Sequence, residues 1–412
     1  MPGLSRWVQW CYGVTSHLVF GAHLVDSQSG VQQGDPLGPL LFSLALQPLA
    51  LRLRGLGRFG NSGRALDICA FYLDDGVLCG DIRAVSEALA LLQDSCAALG
   101  LSLELSKSEL VVLTADERPD LHQFFPRSLL VDTDTGSSRV HKGNFEFLGA
   151  PIGTSSFCAG QTRERVDAAQ PLLDSLSSLS DPQIGLRLLR HCGSYCKMVH
   201  STRTVPSPLH QDELLLYSHN VRLAFSAITG LLLNESQWGQ ATRGLKSGGL
   251  GLRCPARHAN AAYVASCTQT YDLCCKLDSC FAWEGASSST QLGQGLQALN
   301  LELSEQDKIP TNSCSPLRQQ SLSSSLDKVD HDAFFAGLSV TDKAVLNSEM
   351  LAGASDFLEA VPSVQAGLSM APEEFTCELK TRLLMDHYTQ DDWCPACDGV
   401  LDRRGFHPQT CA

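Results

Sequence analysis

The chain has 412 residues, 43% of them hydrophobic, with a formal net charge of -13, enough to bury a sizeable core in two or three domains of ordinary size. No apolar run approaches the roughly 20 residues that span a bilayer, and Met1 to Tyr12 lacks the basic start, apolar centre and small-residue cleavage site of a signal peptide. Membrane partners and secretion are therefore excluded as expectations, and the seventeen cysteines, irregularly spaced, read as free thiols of an intracellular protein in cytoplasm or nucleus.

The acidic total hides an uneven distribution. Residues 183–260 hold 9 Lys and Arg against 3 Asp and Glu, whereas residues 261–412 hold 9 against 21. The basic segment, from Arg187 through Arg190, Lys197, Arg203, Arg222, Arg243, Lys246 and Arg253 to Arg257, can face a phosphate backbone. It can equally be a solvated helix face with a chance bias.

In chain order, Leu37 to Arg54 is strongly apolar, rich in helix formers and closed by arginines, which predicts a buried helix. Gly55 to Gly63, with four glycines, breaks it. Leu66 to Phe71 and Val77 to Cys79 are short apolar runs around a polar turn, a buried β-hairpin with Leu73 to Gly76 at its tip. Val85 to Leu99 has helical spacing. Leu101 to Leu105 alternates as a strand, Glu109 to Leu113 gives a second, and Phe145 to Leu148 a third before Gly149, Pro151 and Gly153. From about Thr162 to Tyr263 the pattern is helical, and Ala282 to Ser325, rich in Ser and Gln, reads as a linker. A last helical stretch, Asp327 to His387, leads into a Cys/His-rich terminus.

Adjacent carboxylates on a tight turn are costly, because like charges repel and each must be desolvated, and divalent cations remove that cost. In Phe71-Tyr72-Leu73-Asp74-Asp75-Gly76 they stand between two apolar strands. Upstream lies Ser29-Gly30-Val31-Gln32-Gln33-Gly34-Asp35-Pro36-Leu37. Either block alone is ordinary turn chemistry, but the pair in this order resembles the reverse transcriptases of non-LTR retrotransposons, in particular the site-specific type that bears a restriction-like endonuclease.

That resemblance implies an RNA-directed DNA polymerase using a two-metal Mg²⁺ site, with Asp74 and Asp75 as ligands and RNA template, DNA primer or target, and dNTPs as partners. Gln33, Gly34 and Pro36 would line the nucleotide and template site together with Tyr72. Gly100 to Leu110 resembles the family's next block, in which Lys107 meets the triphosphate, although a solvated lysine at a strand end is an equally simple reading. Phe147, Leu148 and Gly149, within Phe147 to Gly153, resemble the primer grip. Gly248 to Arg253 resembles a block that follows the thumb. The implied fold class is α+β: a partial right-hand palm, an antiparallel sheet with helices, over residues 1–160. A helical thumb-like region over 161–265, a linker over 266–326 and a helical region over 327–390 follow.

The last segment, 391–412, contains Cys394-Pro395-Ala396-Cys397, His407 and Cys411, a C-x2-C-x9-H-x3-C set suited to tetrahedral Zn²⁺. It resembles the knuckle that follows the polymerase in those elements. The family's first catalytic aspartate has no counterpart before Val31, and Asp26 reads as a loop residue. The expectation is an N-terminally truncated polymerase, inactive alone. The alternatives are a noncatalytic RNA- or DNA-binding remnant of a retroelement and a decayed product without function.

Overall fold

Helices and small antiparallel ribbons make this an α+β chain. The structure, a computed structural model, describes residues 2–56, 65–113, 120–132, 134–278, 280–407 and 411. It divides into two units, Met1–His141 and Lys142–Ala412. The glycine-rich run lies outside the described residues from 57 onward.

The first unit contains α1 (Pro2–Tyr12), the hairpin of β1 (Ser16–Phe20) and β2 (His23–Ser27), α2 (Gly38–Arg54), and the hairpin of β3 (Leu66–Tyr72) and β4 (Asp75–Gly80). It continues with α3 (Ile82–Ala98), β5 (Leu110–Val112) and β6 (Val140–Lys142), the last crossing the junction between units. Leu46, Leu49 and Leu53 recur on one face of α2, and Ala88, Leu92 and Cys96 on one face of α3. Both faces bury against Cys69, Phe71 and Leu78 of the β3–β4 hairpin, as three- and four-residue spacings require. Asp81 starts α3 by accepting from the Arg83 N–H at 3.0 Å.

Three expectations need correction here. Among the described residues the strands form five separate two-stranded ribbons rather than one palm sheet. Leu101 to Leu105 is no strand: Leu101 and Leu103 pack on the hairpin core. Beside them Glu104 accepts from the Ser106 N–H at 3.0 Å and from its hydroxyl, a local turn that competes with ladder bonding. Asp26 is not in a loop but on β2, opposite His17, whose Nδ1 is 2.8 Å from its carboxylate.

The second unit opens with the hairpin of β7 (Phe145–Phe147) and β8 (Ala150–Ile152), which the sequence had grouped with the palm. There follow α4 (Ser155–Ser177), α5 (Pro182–Cys192), α6 (Val199–Thr204), α7 (Gln211–Thr229), α8 (Glu235–Ala241) and α9 (Pro255–Leu277). Their boundaries have local causes. Asp181 caps α5, accepting from the Gln183 and Ile184 N–H groups with Pro182 in the first turn. Asn234 and Gln237 form a capping box on α8. Gly230, at φ 70°, ends α7 in the left-handed conformation. Leu173, Leu186, Leu189, Tyr217, Phe225, Leu250 and Leu252 are buried in one core.

The expected linker is instead packed structure. The helix α10 (Gln291–Glu302) buries Leu292, Leu296 and Leu299 against Val264 of α9 and against Leu322 and Leu326 of α11 (Gln319–Gly337). Composition pointed to a linker because Ser and Gln dominate, but these few leucines recur at helical spacing and bury one stripe. The chain then forms α12 (Val340–Glu349), α13 (Pro372–Arg382) and the short ribbon of β9 (Asp392–Trp393) with β10 (Val400–Leu401). Arg382 is fully buried and joins α13 to the Gly244–Gly251 loop: it donates to the Gly249 and Leu245 carbonyls at 2.9 and 2.7 Å and to the Glu349 carboxylate at 2.9 Å. No helix of the described residues is long and apolar enough to cross a membrane.

Candidate active site and metal centre

The acidic turn is built from a strict register. Tyr72 faces Asp75 across the β3–β4 ladder, so Leu73 and Asp74 form a two-residue loop. Leu73 adopts φ 58°, the positive angle that tight hairpin loops demand and that a branched side chain resists. Phe71 lies across Gly76, where a Cβ would come within 2.6 Å of the ring. The Arg54 guanidinium donates twice, at 3.2 Å, to the Cys69 carbonyl, joining the end of α2 to β3. The result is a fixed tip from which the Asp74 and Asp75 carboxylates and the 65%-exposed Tyr72 face solvent. Among the described residues the only grouping of three or more Cys, His, Asp or Glu close enough to share an ion is at the C-terminus, so no third such side chain joins Asp74 and Asp75.

Gln33, Gly34 and Pro36 lie exposed on the turn that enters α2, with Gly34 at φ 88°. The residue holding this turn is one that sequence reasoning passed over. Asp35 accepts from the Leu37 N–H at 2.9 Å and from the Tyr12 hydroxyl. The phenol bond, then the Leu37 amide, keep the Asp35 carboxyl below its usual range, and the same bond raises Tyr12. An Asp-Pro before an apolar helix is a recognisable turn-initiation signal. The phenol that meets it from α1 is not, because it lies 23 residues away in sequence. Tyr12 also borders a cavity of about 310 Å³ with Gln28, Ser29, Gly30, Val31 and Gln32.

Lys107 stands exposed on a turn rather than at a strand end. That turn is clamped by Arg139, which donates to the Ser106 and Ser108 carbonyls, the latter at 3.0 Å.

In the second unit, Phe147 pairs with Ala150, leaving Leu148 and Gly149 as a two-residue loop with both φ angles positive, 49° and 76°. This is the twist-matched type I′ arrangement.

The basic segment is not an open phosphate-binding face. Arg253 bonds Asp327 at 2.8 Å, and Arg257 forks onto Asp330 at 2.8 Å while reaching Glu302 at 2.6 Å. Arg243 lies buried over the Phe334 ring and donates to the Asp330 carbonyl at 3.1 Å. Arg187 and Arg190 donate to the carbonyls of Ala360 and Leu358 at 3.3 and 2.9 Å, Arg203 to Gln319 at 2.7 Å, and Arg222 to Glu235 at 2.6 Å. Lys197 and Lys246 remain exposed. Three of these arginines, Arg222, Arg253 and Arg257, are thus paired with carboxylates, and Arg187, Arg190, Arg203 and Arg243 are held by neutral oxygens that follow them in the chain.

At the C-terminus the sequence reading and the geometry meet. Cys394, Cys397, His407 and Cys411 place their ligand atoms within 4.8 Å of one another. Sγ of Cys394 and Cys411 are 3.7 Å apart, Cys397 and Cys411 3.6 Å, and Cys397 Sγ lies 3.3 Å from His407 Nε2. A tetrahedral ion with Zn–S bonds of about 2.3 Å needs ligand edges of roughly 3.7 Å, so the donor set fits zinc. The β9–β10 ribbon supplies the knuckle: the Cys394 N–H donates to the Gly399 carbonyl at 2.9 Å, and the Ala396 and Gly399 N–H groups donate to Sγ of Cys394 and Cys397, each at 3.4 Å. The Ala396 amide is the main reason the Cys394 thiol falls to about 6, while hydrogen bonding with Cys397 and Cys394 raises Cys411 to about 11. Asp402, accepting from the Phe406 and His407 N–H groups at 3.1 and 2.7 Å, sets the His407 turn.

Residues 3–152 match the family model for reverse transcriptase (RNA-dependent DNA polymerase). A reverse transcriptase domain is thereby identified at the N-terminal end, spanning the Gln33-Gly34 turn, the Asp74-Asp75 hairpin and the β7–β8 hairpin. No curated protein matches the chain.

Proposed function

We propose that this chain is the RNA-directed DNA polymerase portion of a non-LTR retrotransposon protein, with Asp74 and Asp75 as its Mg²⁺ ligands. The observation that carries this reading is the pair of exposed, adjacent carboxylates on a fixed two-residue hairpin, inside a region matched to reverse transcriptases. Bound Mg²⁺ would activate the primer 3′-hydroxyl and neutralise the triphosphate. The protein's own part is positional: α2 and α3 hold the tip, Tyr12 and Asp35 hold the Gln33-Gly34-Pro36 turn at the nucleotide and template, and Lys107 offers a point charge for the leaving pyrophosphate. Phe147, Leu148 and Gly149 grip the primer. Cys394, Cys397, His407 and Cys411 hold a structural Zn²⁺.

Two carboxylates alone hold two cations poorly, so this reading expects weak synthesis until a further anionic ligand joins them. Primer extension on an RNA template with Mg²⁺ tests it. Asp74→Asn is expected to lower any synthesis by on the order of 100-fold or more. Synthesis that persists in Asp74→Asn would remove Asp74 from the metal site, and vigorous synthesis by the unaltered chain would overturn the incomplete-site reading. A second reading, noncatalytic nucleic-acid binding, is favoured by the knuckle. It expects duplex binding unchanged in Asp74→Asn/Asp75→Asn, with no synthesis. For the knuckle, elemental analysis should find one zinc per chain, absent in Cys394→Ser, and a metal-free native protein would sink the assignment.

A further inference from the structure

Beside the β7–β8 hairpin stands one arginine that the resemblance leaves without a role. Arg165, on α4, donates from Nη2 to the Gly149 carbonyl at the hairpin tip. From Nη1 it donates to Ser201 Oγ at 2.9 Å and lies 3.2 Å from His200 Nδ1, both on α6. Burial, then the neighbouring guanidinium, push the His200 imidazole below its ordinary value, and because a guanidinium only donates, Nδ1 is the acceptor of this contact. The tip is in close contact with both partners: a Cβ at Gly149 would lie 3.3 Å from Arg165 Nη2 and 3.6 Å from His200 Cε1.

A hairpin with three-residue strands is marginal by itself, so the direction of its tip is decided by whatever holds it. The guanidinium is a planar fork with donors in fixed geometry, which a flexible ammonium does not reproduce. Here the fork spans the tip carbonyl and α6. Leu148, 43% exposed, is left on the outer side of the same turn.

We infer that Arg165 is a positioning residue: it locks the Leu148–Gly149 tip onto α6 so that the hairpin meets the end of a primer strand in a single orientation. This rests on the polymerase reading above, in which the hairpin grips the primer. It adds that the grip is aimed from the helical region rather than by its own strands.

The test uses the full chain and the variants Arg165→Ala and Arg165→Lys, with Arg163→Ala as a control on the same helix, where Arg163 pairs with Asp167 at the surface. Hydrogen exchange followed by mass spectrometry should show faster exchange over 145–152 in Arg165→Ala, with 211–229 unchanged. Primer extension should show the KM for primer–template raised about tenfold, the KM for dNTP unaltered, Arg165→Lys intermediate, and the control like the parent. Unchanged exchange over 145–152, or an unchanged primer–template KM, overturns the inference. So does faster exchange throughout the second unit in both Arg165 variants, which would assign Arg165 to folding alone. If the parent shows no Asp74-dependent synthesis, the polymerase reading fails separately. Fluorescence anisotropy with a primer–template duplex then decides: binding about tenfold weaker in Arg165→Ala supports the inference, and equal binding overturns it.

Discussion

The two hairpins that carry the resemblance to a polymerase solve opposite problems. The β3–β4 tip presents side chains: its backbone is fixed from behind by α2 and α3, and Asp74, Asp75 and Tyr72 are left exposed. The β7–β8 tip presents backbone and one apolar side chain, and is held from the front, by Arg165 on the Gly149 carbonyl. Chemistry that needs charge demands a rigid, unpaired tip, whereas a grip needs a tip whose direction is set by a neighbour. A branched residue, Leu73, tolerates the left-handed angle in the first hairpin, and glycine shares it in the second.

Acid should separate the two most. His210, 1% exposed beside α4 with Nδ1 3.1 Å from Thr162 Oγ, is pushed by burial down to about 4. The unfolded chain protonates it near 6.5, so its contribution is fully present above that pH. It is lost as pH falls towards 4, roughly 3 kcal/mol in all. Melts at pH 7.5, 5.5 and 4.5 should show the helical unit weakening with acid, and His210→Gln flattening that dependence. An identical pH slope in His210→Gln would contradict the assignment.

Glycine replacements should hurt each hairpin for a different reason. Gly76→Ala forces the Phe71 ring off the strand and should cost about 1–3 kcal/mol. Gly149→Ala imposes a left-handed alanine against Arg165, about 1–2 kcal/mol, with the loss confined to 145–152. Chemical denaturation with exchange mapping reads both. A Gly76→Ala protein as stable as its parent would show that Phe71 can move freely. The smallest effect is expected of Leu73→Asn: asparagine accepts the positive φ angle, so stability should rise by up to about 1 kcal/mol. A clear loss would mean that the Leu73 side chain contributes more by packing than its backbone costs.

Much of this was legible along the chain because the signals are local. The acidic turn between apolar runs, the helical spacings of α2 and α3, the glycine turn before α2 and the C-x2-C-x9-H-x3-C set each depend on residues close in sequence, where propensity and spacing act directly. The misread places share a different cause. Leu101–Leu105 alternated like a strand but found no ladder partner among the described residues. The stretch around α10 looked like a linker until three leucines met α9 and α11.

What the sequence determined by itself is the inventory: a reverse transcriptase-like acidic hairpin, a helical region and a Cys/His terminus, because turn angles, helix periodicity and metal-ligand spacing are short-range properties. What only the tertiary structure decided is how the charges are used. Arg253 and Arg257 counted as a basic face until Asp327, Asp330 and Glu302 came back across the fold to neutralise them, and Arg165 was one cation among many until it reached Gly149. An ion pair or a clamp depends on which distant residue arrives within hydrogen-bond distance, and nothing in local composition fixes that.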